Sequence, residues 1–199
     1  MASKTEIRRQ ELRDRLVIIA ERRIAKNGLG ALRARDLATA AGCAVGAIYN
    51  VFGDLTDLAL AVNARTFHRL GADVAAALAG APEDPVAQLV VMAQAYHRFA
   101  ADNHQSWRAL FDVERAPGEA APDWYLQEMG QLFTYISDPL AVLFPDRDAA
   151  ELALLARALF SSVHGIVLLG LDEASAGVSA ENIDQMIALV LSQFAGGSK

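Results

Sequence analysis

Residues 34–53 hold the side chains whose types and spacing could do chemistry, and that chemistry is the reading of nucleic acid. Leu37, Ala38, Ala41, Gly42, Cys43, Ile48, Val51 and Phe52 fall where a helix-turn-helix needs apolar, small and turn-forming residues. Ala38 is small where two helices would cross, and Gly42 can take the positive φ of a tight turn without the penalty of a Cβ. Leu37, Ala41, Cys43, Ile48 and Phe52 are expected to face inward. Ala44, Val45, Ala47, Tyr49 and Asn50 then form the outer surface of the second helix, whose first residues enter the major groove in such motifs. Arg8, Arg9, Arg33 and Arg35, with Lys4 and the Tyr49 hydroxyl, are the groups available to anchor on phosphates. Ala44, Val45 and Ala47 suit thymine methyls, and Asn50 suits a base edge or a phosphate.

Other residues suggest chemistry less well. Cys43, at an inward position, is open to two readings, a structural thiol and a redox sensor. His97, His104 and His164 include no i, i+4 pair, so no bound metal is expected. Gly28-Leu-Gly begins like a dinucleotide fingerprint but lacks the third glycine and follows a helical pattern, which makes it a helix stop. Ser161 and Ser162 lie near His164 without a Gly-x-Ser-x-Gly elbow or an obvious third member. Neither catalysis nor a cofactor is expected.

The elements that must position these residues are all helical. Leu12, Leu16, Ile19, Ala20 and Ile24 recur at three- and four-residue steps through a first helix of about 20 residues, which Asn27 and Gly28 end. Short helices follow near Arg35 to Ala41 and Val45 to Val51. Asp54 caps a long helix to about Ala79, and Asp84-Pro85 opens another through Phe99. A short helix spans about Trp107 to Val113, and the Pro- and Gly-bearing stretch 115–122 is the clearest loop. Pro122 restarts helix toward Phe144, with a kink or break expected at Pro139. Asp148 to Leu171 and Ser179 to Phe194 complete a set of about nine.

Composition agrees with a packed, charged-poor molecule. The 199 residues are 53% hydrophobic and 21% charged, which excludes intrinsic disorder and suggests extra surface buried in an oligomer. The longest run without Asp, Glu, Lys or Arg, Leu37 to Gly53, is broken by polar residues and glycines, so no membrane span is expected. The start is charged from Lys4 onward, without the apolar stretch of a secretory signal, and the lone cysteine forms no disulfide framework. A cytoplasmic location is the expectation. The net charge of −6 conceals an asymmetry: residues 1–53 carry ten Lys or Arg against five Asp or Glu, and the rest of the chain eight against nineteen. A basic head on an acidic body suits a nucleic-acid reader joined to a second function.

Arg35-Asp36-Leu37-Ala38, Ala41 through Phe52, and Leu58 resemble the N-terminal domain of TetR-type transcriptional regulators, over roughly residues 8–65. Leu159-Phe160-Ser-Ser-Val-His164-Gly165 is similar to the His-Gly helix of one subgroup of that family. The resemblance implies an all-α chain with a three-helix helix-turn-helix domain at 1–53 and a ligand-binding and dimerisation bundle at 54–199. Against the family's pattern, Ala44 and Ala47 replace Ser or Thr, Arg33 replaces a capping Thr, and Leu55 replaces a phosphate-contacting Lys.

The family's effector pocket is the model for the nine aromatics between residues 96 and 144. Tyr96, His97, Trp107, Phe111, Trp124, Glu128, Phe133 and His164 are the expected ligand-binding residues. A twofold interface of two helices per subunit would bury the apolar stripe Ile183, Ile187, Leu191 and the small residues Ala153 and Ser161 of the preceding helix. The function implied is a homodimeric repressor that binds a palindromic double-stranded operator and leaves it when a small apolar or aromatic effector binds. The alternative is a helical ligand-binding protein whose DNA contact is weak or vestigial.

Overall fold

The computed structural model describes residues 3–114, 120–172 and 177–196. Among them the architecture is all-α, with nine α-helices and one short 3-10 turn. The helices are α1 (Lys4–Asn27), α2 (Ala34–Ala41), α3 (Val45–Tyr49), α4 (Leu55–Leu78), α5 (Pro85–Asp102), α6 (His104–Ala109), α7 (Asp123–Leu143), α8 (Ala149–Gly170) and α9 (Ala180–Gly196). Of the expected loop 115–122, residues 115–119 lie outside the described residues.

Local chemistry sets most of these boundaries. The Ser3 hydroxyl accepts from the Glu6 N–H at 3.2 Å to open α1, and Gly28 closes it at φ 74°. Asp54 accepts from the Asp57 N–H and Asp84 from the Ala87 N–H, each at 2.8 Å. At α8, Asp148 accepts from the Ala150 and Glu151 N–H groups while the Glu151 carboxylate accepts from the Asp148 N–H, a reciprocal capping box. The break expected at Pro139 is absent, because α7 continues through Pro139 to Leu143. Pro139 cannot donate to the carbonyl four residues back and its ring crowds that carbonyl, but it sits four residues before the helix ends, and the helix carries on through it.

The chain packs as two compact units, residues 1–68 with 103–126 and residues 69–102 with 127–199. The first unit thus reaches beyond the helix-turn-helix. Its core joins Leu16, Ala20, Ile24, Leu37, Ile48 and Phe52 to Leu58 and Val62 of α4 and Ala109 of α6. Buried Asn63 on α4 donates to the Ala109 carbonyl at 2.9 Å, which ties α4 to the end of α6. In the second unit, Leu89 and Phe99 of α5, Leu140 of α7, Val167 of α8 and Ile187 of α9 are buried.

One expectation about the last two helices is overturned here. Ile183, Ile187 and Leu191 are 1%, 0% and 1% exposed within a single subunit, so they belong to its own core and have no surface left for a partner. The close helix approach is at Gly170, where an added Cβ would come within 2.6 Å of Ile183, and not at Gly165, where it would meet nothing within 4 Å. The apolar side chains left outside are Leu154 and Leu169 of α8 and Met186, Leu189 and Val190 of α9. Ala153 and Ser161 are exposed beside them. By length and composition alone α8 is apolar enough to cross a membrane, and its residues Ala156, Leu159, Val163 and Val167 are buried within the subunit.

Candidate nucleic-acid interface and effector site

The turn between α2 and α3 is built as its residue types demand. Gly42 takes the left-handed conformation at φ 67°, ψ 39°, and the Cys43 N–H donates to the Ala38 carbonyl at 3.0 Å. This turn is where only glycine is free of a Cβ penalty. Leu37, Ala41, Ile48 and Phe52 are buried and Cys43 is half-buried, so the inward set holds. Neither Arg33 nor Ala44, the residues that precede α2 and α3, makes a side-chain capping bond. The N-termini of the two helices therefore lack side-chain caps, while Gly42 caps the C-terminus of α2.

Arginines of α1 brace this motif from behind. Arg15 donates to the Ala41 carbonyl at 3.1 Å, and Arg23 donates to the Asp36 carbonyl and pairs with its carboxylate. Arg13 lies 4.5 Å over the Phe52 ring. A cation near the last carbonyls of α2 favours the negative end of its dipole. Sequence reasoning singled out none of the three, because a basic residue in a helix does not reveal which neighbour it will meet.

The outer surface of α3 is open to solvent. Ala44, Val45, Tyr49 and Asn50 are exposed and Ala47 is half-buried, with Val45 at 38% and Tyr49 at 47%. Arg8, Arg9, Arg33 and Arg35 are all exposed. An uncharged exposed face on α3 thus accompanies exposed arginines on α1, before α2 and on α2, the types of group that groove contact and phosphate anchoring use.

The expected ligand-binding residues divide between the two units. In the first, Trp107 is fully buried, with Phe111 edge-on at 5.7 Å and His104 at 6.0 Å, and is a core side chain of that unit. Trp124 stands edge-on to Tyr125, whose ring packs 5.4 Å from Phe67. Phe111 and Trp124 are exposed.

In the second unit Tyr96, Phe133 and His164 come together around Phe160, a residue that sequence reasoning quoted for the subgroup likeness but not for the site. The Tyr96 hydroxyl and His164 Nδ1 are 2.8 Å apart, and the Phe160 ring stacks on His164 at 5.5 Å and 19°. Phe133 stands edge-on to Phe160 at 5.3 Å, and Tyr96 to Phe160 at 5.9 Å. One phenol, one imidazole and two phenyl rings thus form a mostly apolar set with a polar pair in it. Glu128 of the same unit is half-buried on α7.

His97 is buried between α5 and α9. Its Nδ1 lies 2.8 Å from the Asp184 carboxylate, and its Nε2 has no hydrogen-bond partner among the described residues. Nor do any three His, Cys, Asp or Glu side chains among those residues gather as metal ligands would.

No curated protein matches the chain. Among solved structures, a protein of unknown function from Rhodococcus sp. RHA1 is 24% identical, covers 94% of each chain and has a TM-score of 0.72. RolR, solved in complex with resorcinol, is 18% identical over 96% of this chain and 92% of its own, with a TM-score of 0.71. The TetR family transcriptional regulator PfmR from Thermus thermophilus is 19% identical over 90% and 98%, with a TM-score of 0.59. These likenesses show the shared fold. Residues 89–194 match the family model described as the tetracycline repressor-like C-terminal domain. With more than half of its length matched and its helices in this order, the chain belongs to the tetracycline repressor-like family of transcriptional regulators.

Proposed function

We propose that the chain is a cytoplasmic, homodimeric repressor released from a palindromic operator by a small aromatic effector. The observation that carries the reading is the outer face of α3, exposed and uncharged, together with exposed Arg33 before α2 and exposed Arg35 on it. Arg8, Arg9, Arg33 and Arg35 neutralise phosphates, the Tyr49 hydroxyl reaches another, and Ala44, Val45, Ala47 and Asn50 meet base edges. Residues 1–53 are the reading head in this assignment and 54–199 carry the effector site and the interface.

Tyr96, Phe133, Phe160 and His164 form the effector site, and Glu128 and His97 supply further polar groups. RolR is described with resorcinol, a hydroxylated ring, and the Tyr96–His164 pair among phenyl rings suits a ligand of that chemistry. Two subunits meet through Leu154, Leu169, Leu189 and their neighbours Ala153 and Ser161, whose burial removes an apolar surface of α8 and α9 from water. The effector acts by binding better to the conformation that mismatches paired half-sites, and helix α4, which contributes residues to both units, carries the difference.

The test is a fluorescence-anisotropy titration of a labelled duplex from the region beside the protein's own gene, over a series of salt concentrations. Tight, salt-sensitive and sequence-selective binding is expected, with resorcinol and simple phenols raising the melting temperature and releasing the duplex. Binding no tighter than to a scrambled duplex would support the rival reading of a helical ligand-binding protein with weak DNA contact.

A further inference from the structure

We infer that this protein reads its operator through thymine methyl groups, with Val45 as the principal contact, so that the core of each half-site is A·T pairs recognised by the methyl itself. The inference rests on the assignment of α3 as the reading helix and names what that helix reads. In the major groove each base edge calls for its own side-chain chemistry. Guanine takes Arg or Lys on its O6 and N7, cytosine an acidic acceptor on its amino group, adenine the amide of Asn or Gln, and thymine an apolar contact on its methyl.

No Lys, Arg, Glu or Gln occurs between Leu37 and Gly53, and no Asp either. The side chains that α3 and its flanks expose are the methyls of Ala44 and Val45, the Tyr49 ring and the Asn50 amide, with Ala47 half-buried. Thr39, on α2, commits its hydroxyl to the Arg35 carbonyl at 2.9 Å. This surface therefore lacks the charged side chains that most often read guanine and cytosine, and offers apolar surface for thymine and one amide, the usual reader of adenine. Val45 carries the largest apolar side chain at the start of the helix and is 38% exposed. The nearest cations along the chain, exposed Arg33 before α2 and Arg35 on it, are assigned to phosphates, which they contact irrespective of sequence.

The experiment starts from a random-sequence duplex pool selected on the full-length protein, so that no operator need be known. The best duplex is then remade with deoxyuridine for thymidine at one position at a time, which removes a methyl and nothing else. An A·T-rich core is expected, with about four-fold weaker binding for each contacted methyl removed, the weight of roughly one buried CH₂. The salt dependence should be unchanged, because no charge is lost. In Val45→Ala the penalty for deoxyuridine should shrink at the one base that Val45 touches while staying as before at the others.

A G·C core, or an A·T core whose affinity ignores the methyl and so is read through groove shape, would overturn the inference and leave sequence-specific DNA binding standing. A pool that yields no enriched sequence would overturn the DNA-reading assignment itself, and the inference with it.

Discussion

Position 33 faces two demands that pull in opposite directions, capping α2 and the phosphate contact proposed for it. Arg33 precedes α2 without capping it, and it is exposed where a phosphate contact is proposed. Arg33→Thr should therefore stabilise the folded head by about 0.5–1 kcal/mol through a new side-chain cap, while weakening binding to any duplex. Denaturant melts and anisotropy titrations on one sample would show the two effects with opposite sign. Arg35→Ala has no cap to gain, and should flatten the salt dependence of DNA binding by about one charge unit with the melt unchanged. An unaltered slope would take Arg35 off the interface. The glycines of α8 make a second residue-scale contrast. Gly170→Ala drives a methyl against buried Ile183 and should cost about 1–3 kcal/mol, whereas Gly165→Ala meets open space and should raise stability by about 0.5–1 kcal/mol. Thermal melts of the two variants should move in opposite directions.

At the scale of elements, what was legible in the sequence is what local chemistry decides. Asn27-Gly28, Asp54, Asp84-Pro85 and Asp148 mark helix ends because a left-handed stop or a capping carboxylate acts within one turn of itself. The helix-turn-helix was legible for the same reason, since Gly42 and the spacing of Leu37, Ala41, Ile48 and Phe52 define it within sixteen residues. The face that α9 buries was not legible. Ile183, Ile187 and Leu191 form one apolar stripe, while Met186, Leu189 and Val190 form another, and periodicity gives no sign of which lies against the subunit's own helices. Only the packing of α9 on α5 and α8 decides that, and it turns Ile183, Ile187 and Leu191 inward. The aromatic grouping was blurred likewise. Nine aromatics crowd residues 96–144, yet the stretch 103–126 folds with the first unit and takes Trp107, Phe111 and Trp124 with it.

For the whole molecule, the reversal of the α9 stripe changes which substitution tests assembly. Asp at buried Ile187 should abolish folding, since an unpaired charge in a core costs several kcal/mol, so its loss of dimer would carry no information. Leu154→Asp combined with Leu189→Asp alters side chains that are 69% and 63% exposed in the subunit. Circular dichroism should show full helix content, and light scattering should show monomers that hold a two-half-site duplex poorly. A stable dimer in the double variant would move the interface off α8 and α9.

The return of residues 103–126 to the first unit has a consequence for anyone who would exchange reading heads between regulators. A cut after residue 53 leaves Leu16, Ile24, Ile48 and Phe52 behind without Leu58, Val62 and Ala109, the side chains that complete their core. It also severs Asn63 and its bond to the Ala109 carbonyl from the helices they support. A transplantable head is discontinuous in the chain: it must bring residues 1–68 together with α6 and the opening of α7, and the recipient must accept two grafts rather than one. The proposed reading surface, the outer face of α3, is therefore easier to change by substitution in place than by moving the motif that carries it.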